Sequence, residues 1–165
     1  MKHTRTDKTN YYLDIAQAVC ERGTCLRRLF GAVIVKNDTI ISTGYAGAPR
    51  GRKNCCDIGS CLRQTYNIPA GERYELCRSV HAEANAIIAA SREEMLGSTL
   101  YLVGISYETH ELISGTTCCS MCKRLVINAG ISTVVVRDTP TEYRVIDVQK
   151  EWVENDKPEE LTNGY

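Results

Sequence analysis

Over residues 9–22, Tyr12, Ala16 and Val19 fall on one stripe with Leu13 and Cys20 beside it. This spacing predicts a helix, with Gly23 as its stop. The pattern then changes period. A short apolar run, GAVIV (31–35), a turn at Asn37 and Asp38, and a second run, TIIST (39–43), predict a β-hairpin. From 46 to 80 no period holds, and Gly, Arg, Cys and Pro crowd the segment. A connection of that length inside a compact domain is expected to be functional, or ordered by something beyond its own secondary structure. Helical spacing returns at 81–95 (HAEANAIIAASREEM), which predicts one helix with Ala84, Ile87, Ile88 and Ser91 on its inward stripe. TLYLVGI (99–105) predicts a strand, 119–129 a helix ended by Gly130, and 131–136 a buried strand. A last strand is expected at 143–148, and a flexible tail at about 157–165.

The order strand–helix–strand over 99–136 implies a right-handed parallel crossover. With the hairpin ahead of it, this predicts an α/β fold: a mixed central sheet with helices on both faces, three layers in all. No linker divides the 165 residues, so one domain is expected, with a Cys/Arg-rich insertion at 46–80.

Composition narrows the function classes. Hydrophobic residues make up 43% of the chain, enough for a sizeable core, and the formal net charge at pH 7 is zero. That balance argues against a stable nucleic-acid partner, because phosphate contacts call for a basic surplus. No apolar stretch approaches the roughly twenty residues of a membrane span, and the polar start (1–10) lacks a signal peptide's apolar segment, so a cytoplasmic protein is expected. Nine cysteines cannot all pair internally. In a chain of this kind they point to metal binding or catalysis rather than to a disulfide scaffold.

Two short motifs carry the chemistry. His81-Ala82-Glu83 opens one predicted helix and Cys119-Ser120-Met121-Cys122 opens another. One helix precedes and the other follows the same strand, so their N-termini can meet at one end of the sheet. His81, Cys119 and Cys122 then form a three-donor zinc site, and three protein ligands leave a fourth position for water, the catalytic pattern. Zinc lowers the pKa of bound water to roughly 7, giving a nucleophile for an amidine-like carbon such as C4 of cytosine. Glu83 sits beside the metal without being needed as a ligand and can move protons between water, ring nitrogen and leaving amine. A structural zinc site has no use for such an acid.

H-x-E with C-x-x-C resembles the signature of zinc nucleoside and nucleobase deaminases. The closer resemblance is to deoxycytidylate deaminases. It is carried by TCLRRLFGAVIV (24–35), GYAGAPRG (44–51), HAEANAI (81–87) and CCSMCKRLVINAGI (118–131). The resemblance implies a cytidine-deaminase-like fold and hydrolysis of dCMP to dUMP and ammonia. It also implies a homo-oligomer (hexamer or dimer) and, in many members, regulation by dCTP and dTTP. Two positions depart from the family pattern. Cys118 stands where the family has proline before C-x-x-C, and Ala46 stands where many relatives carry an asparagine able to contact the sugar.

Related deaminases sometimes carry a structural zinc that uses the cysteine corresponding to Cys25. This suggests a second metal on Cys25, Cys56, Cys61 and Cys77, with Cys55 as the substitute for Cys56. A nucleotide also needs a cationic pocket. Among Arg27, Arg28, Arg50, Arg52, Lys53 and Arg78, we favour Arg28, Arg50 and Arg52 for phosphate, with Tyr45 beside the base. The competing readings are a deaminase of a free nucleoside, a base or a tRNA adenosine, and a non-catalytic zinc or redox module.

Overall fold

The computed structural model describes residues 3–157, and the expected flexible tail lies almost entirely outside them. Helix α1 (Lys8–Cys20) begins at Asp7, whose carboxylate accepts from the Asn10 backbone N–H and caps it. Strands β1 (Arg28–Lys36) and β2 (Thr39–Tyr45) form the expected hairpin. Asn37 and Asp38 both take positive φ, 49° and 59°, as a two-residue turn matched to strand twist requires.

The segment 46–80 holds two single-turn helices, α2 (Cys55–Ile58) and α3 (Leu62–Thr65), and a 3-10 turn at Tyr74–Leu76. It is closed at its base. The Val80 N–H donates to the Gly47 carbonyl at 2.7 Å, and the Gly47 N–H returns to Val80 at 3.2 Å. This bridge carries the chain back beside the end of β2 just before His81.

The helix expected over 81–95 is two helices, α4 (Ala82–Ile88) and α5 (Arg92–Met95). The break falls at Ser91, which caps α5 in a reciprocal box with Glu94. The inward stripe is also corrected. Ala82, Glu83 and Ala86 are buried, whereas Ile88 is 71% exposed. His81 stands at the N-cap position, and the 82/83/86 face that follows it is the buried one.

Strand β3 (Thr99–Ser106), helix α6 (Ser120–Ala129), β4 (Thr133–Arg137) and β5 (Tyr143–Asp147) follow as expected within a residue or two. A π-helical turn (Gln149–Glu154) closes the described chain. The five strands run in the order β2-β1-β3-β4-β5, with β3 and β4 parallel and all other pairs antiparallel.

Alternation along β1 and β3 builds two cores. Val33, Val35, Val103 and Ile105 pack against α1 on one face. Ala32, Ile34, Leu100 and Leu102 pack against α4 and α6 residues Ala82, Ala86 and Val126 on the other. The three-layer α/β expectation holds. Among the described residues, no helix is long and apolar enough to cross a membrane.

Candidate active site

The second face of the sheet supports the site. His81 is the N-cap of α4 and Cys119 the N-cap of α6, both in extended backbone. Cys122 follows one turn into α6, buried like Cys119. Cys119 Sγ lies 3.4 Å and Cys122 Sγ 3.5 Å from His81 Nδ1. A tetrahedral zinc with bonds of about 2.3 Å to sulfur and about 2.0–2.1 Å to nitrogen separates such donors by about 3.5 Å. The three donors therefore fit zinc. Among the described residues, no other three His, Cys, Asp or Glu side chains converge in this way.

The electrostatics follow from close packing. The Cys119 thiol is pulled down to about 4, chiefly by the hydrogen bond from Cys122 and then by His81, against its burial. Cys122, the donor of that bond, is pushed up. Burial opposes charge on His81, yet hydrogen bonds to Cys119 and Cys77 raise it to about 10.

Glu83, in the first turn of α4, is 4% exposed, and burial pushes its carboxyl up. It lines a cavity open at its mouth, together with His81 and Cys119. Cys118 is fully buried and stays outside the donor group. Its thiol, held protonated by burial, hydrogen-bonds Glu83, so the residue in proline's place touches the acid and not the metal position.

The remaining expected residues divide. Arg28 lines the cavity, and so does Arg27. Tyr45, Arg50 and Arg52 are exposed and are not among the cavity's lining residues. Cys25, Cys61 and Cys77 line the same cavity, but the four sulfurs expected to hold a second metal do not form a ligand cluster. Cys56 is exposed with its thiol toward Asp57, whereas Cys55 is buried within electrostatic reach of Cys25, Cys61 and Cys77. The capping box between Asn54 and Asp57 fixes α2 so that Cys55 faces inward and Cys56 faces solvent.

Arg63 and Tyr74 are among the cavity residues that escaped the sequence reading. The Tyr74 ring meets the His81 ring edge-on at 5.1 Å, and the Arg63 guanidinium lies over Tyr74, 4.5 Å from its centroid. No periodicity marks either residue, because long-range folding of the insertion places them.

The model of the cytidine and deoxycytidylate deaminase zinc-binding region matches residues 6–138. The chain belongs to this family. The deoxycytidylate deaminase of Mycobacterium phage D29 is 36% identical over 137 residues, covering 80% of this chain and 95% of that one. The deoxycytidylate deaminase of Schizosaccharomyces pombe is 31% identical over 126 residues, 76% of this chain but 35% of the longer yeast protein. A crystal structure of dCMP deaminase from the cyanophage S-TIM5, in complex with dCMP and dUMP, matches with a TM-score of 0.54 at 23% identity. It covers 82% of this chain and 84% of that one, and it supports the fold. In this zinc-binding family, His81, Cys119 and Cys122 are the candidate zinc ligands.

Proposed function

We propose that the protein hydrolyses dCMP to dUMP and ammonia. The observation that carries this reading is the cluster of His81, Cys119 and Cys122 at a cavity that His81, Cys119 and the buried Glu83 line. The D29 relative, matched over nearly its whole length, supports the substrate. Held by His81, Cys119 and Cys122, zinc supplies a nucleophile at neutral pH by lowering the pKa of water to about 7. The chain's own part is proton movement and enclosure. Glu83 takes one proton from water and delivers it to the ring nitrogen N3, then takes the second from the new C4 hydroxyl and delivers it to the departing amine. A C4–O bond forms, the C4–N bond breaks, and ammonia leaves. Burial of Glu83 keeps its carboxyl at one position and away from bulk water.

Likeness to the family supports an oligomer and control by dCTP and dTTP. All nine cysteines are free, which suits a reducing, cytoplasmic setting.

The test is ammonia release from zinc-loaded protein given dCMP, CMP, deoxycytidine and cytidine in parallel. Turnover fastest on dCMP is expected, and silence on all four would overturn the reading. Stripping the metal with a chelator is expected to abolish turnover and to lower Tm, both restored by added zinc. A Tm indifferent to the chelator would mean that the three donors hold no metal.

A further inference from the structure

Arg63 carries a buried charge that the protein itself satisfies only in part. It stands on α3, 5% exposed, and lines the cavity with His81 and Glu83. Its Nη2 donates to the Pro69 carbonyl at 2.9 Å, and its guanidinium stacks on Tyr74. Its Nε is buried without a hydrogen-bond partner. Among the described residues, no Asp or Glu forms an ion pair with it. A guanidinium keeps its proton at any ordinary pH, so what is buried here is a charge. A buried charge left unpaired is costly, and a carbonyl and a ring face compensate it only in part.

We propose that Arg63 is the specificity-determining cation of the cavity, receiving the phosphate of a nucleoside monophosphate and so selecting nucleotide over nucleoside. The planar fork of arginine suits a phosphate better than a single ammonium does, and an entering dianion supplies the counter-charge that the fold withholds. Stacking on Tyr74 fixes the fork in the cavity wall, and Tyr74 in turn abuts the metal-site histidine. Arg50 and Arg52, which the sequence favoured, are exposed and do not line this space. This proposal rests on the reading of the site as a cytosine-nucleotide deaminase.

The experiment measures dissociation constants of dUMP and deoxyuridine by calorimetry on zinc-loaded wild type and Arg63→Gln. The expected result is a fall of about 10- to 100-fold in the preference for dUMP over deoxyuridine, the effect of losing hydrogen bonds to a charged group. A purely structural role would weaken both ligands together, and that result, or an unchanged preference, overturns the proposal. If Arg63→Gln does not fold, Arg63→Lys carries the test, since it keeps the charge and loses the fork. It is expected to lower the same preference, and an unchanged preference there overturns the proposal equally. Failure of the functional reading looks different: wild type itself would then release no ammonia from dCMP.

Discussion

Replacing Glu83 with Gln is expected to lower kcat on dCMP by about 10²- to 10⁴-fold, the usual contribution of a positioned proton-transfer group. Glutamine keeps the size and the hydrogen-bonding oxygen of the side chain. The Cys118 thiol that contacts the carboxyl can still donate to it. What the amide loses is the capacity to accept and return a proton. The candidate zinc donors are His81, Cys119 and Cys122, and Glu83 is not among them. The variant should therefore bind as much zinc as wild type, and its Tm should not fall. Metal analysis and a melting curve beside the kinetic assay separate the two explanations of a dead enzyme. Loss of turnover with full zinc assigns the proton work to Glu83. Loss of both would make Glu83 a support for the metal site, and full retained activity would remove it from the mechanism.

The parts of this site legible in the sequence are those fixed by local rules. His81 and Cys119 each precede a helix as its cap, and the i, i+3 spacing of Cys119 and Cys122 puts both thiols on one side of α6. The strand between the two helices was readable from its apolar run, so the meeting of their N-termini followed from topology. The hairpin turn was equally local, since Asn37-Asp38 accepts the positive φ that the turn demands.

What failed was decided by partners far away in the chain or by competing caps. Ser91 stopped a helix that apolar spacing alone would continue. The inward face of α4 was misjudged at Ile88, which looks like core but is exposed; Ile87 does pack, partly buried, against the core, while the small residues Ala82 and Ala86 are what lets the helix lie close to the sheet. The insertion gave no period to read. Its shape depends on the bridge between Gly47 and Val80 and on stacking such as Arg63 over Tyr74, neither of which leaves a local signature. Arginines near the predicted active-site loops were therefore favoured; of these Arg28 does line the cavity, whereas Arg63, which the fold also brings there, was passed over.

Close packing of α4 on the sheet makes Gly44→Ala a single-methyl change expected to disable the site from outside the metal centre. A Cβ at Gly44 would sit 2.3 Å from the Ala82 carbonyl oxygen and 2.4 Å from the Ala86 backbone nitrogen. Both atoms belong to the helix backbone, so no rotamer change relieves the clash, and α4 must move off β2. The helix is tied to that strand by Ser42 Oγ donating to the Ala86 carbonyl at 2.7 Å and by Asn85 Nδ2 donating to the Tyr45 carbonyl at 2.8 Å. Displacing it strains both bonds and carries His81 and Glu83 away from α6. Overpacking of this kind costs about 1–3 kcal/mol in stability. A misplacement near 1 Å costs about 10²-fold in rate.

Gly31→Ala is the matched control. Its Cβ would meet α1 backbone just as closely, 2.2 Å from the Ala16 carbonyl oxygen, but on the opposite face of the sheet. Both variants are expected to melt earlier than wild type. At a temperature where both remain folded, Gly44→Ala alone is expected to lose most of its zinc affinity and turnover, measured by metal titration and kcat. Equal losses of activity would mean that the sheet transmits the disturbance to both faces alike. A Gly44→Ala enzyme with normal zinc binding and rate would mean that α4 can slide on the sheet without disturbing the site, contrary to the tight backbone contact that places His81 and Glu83.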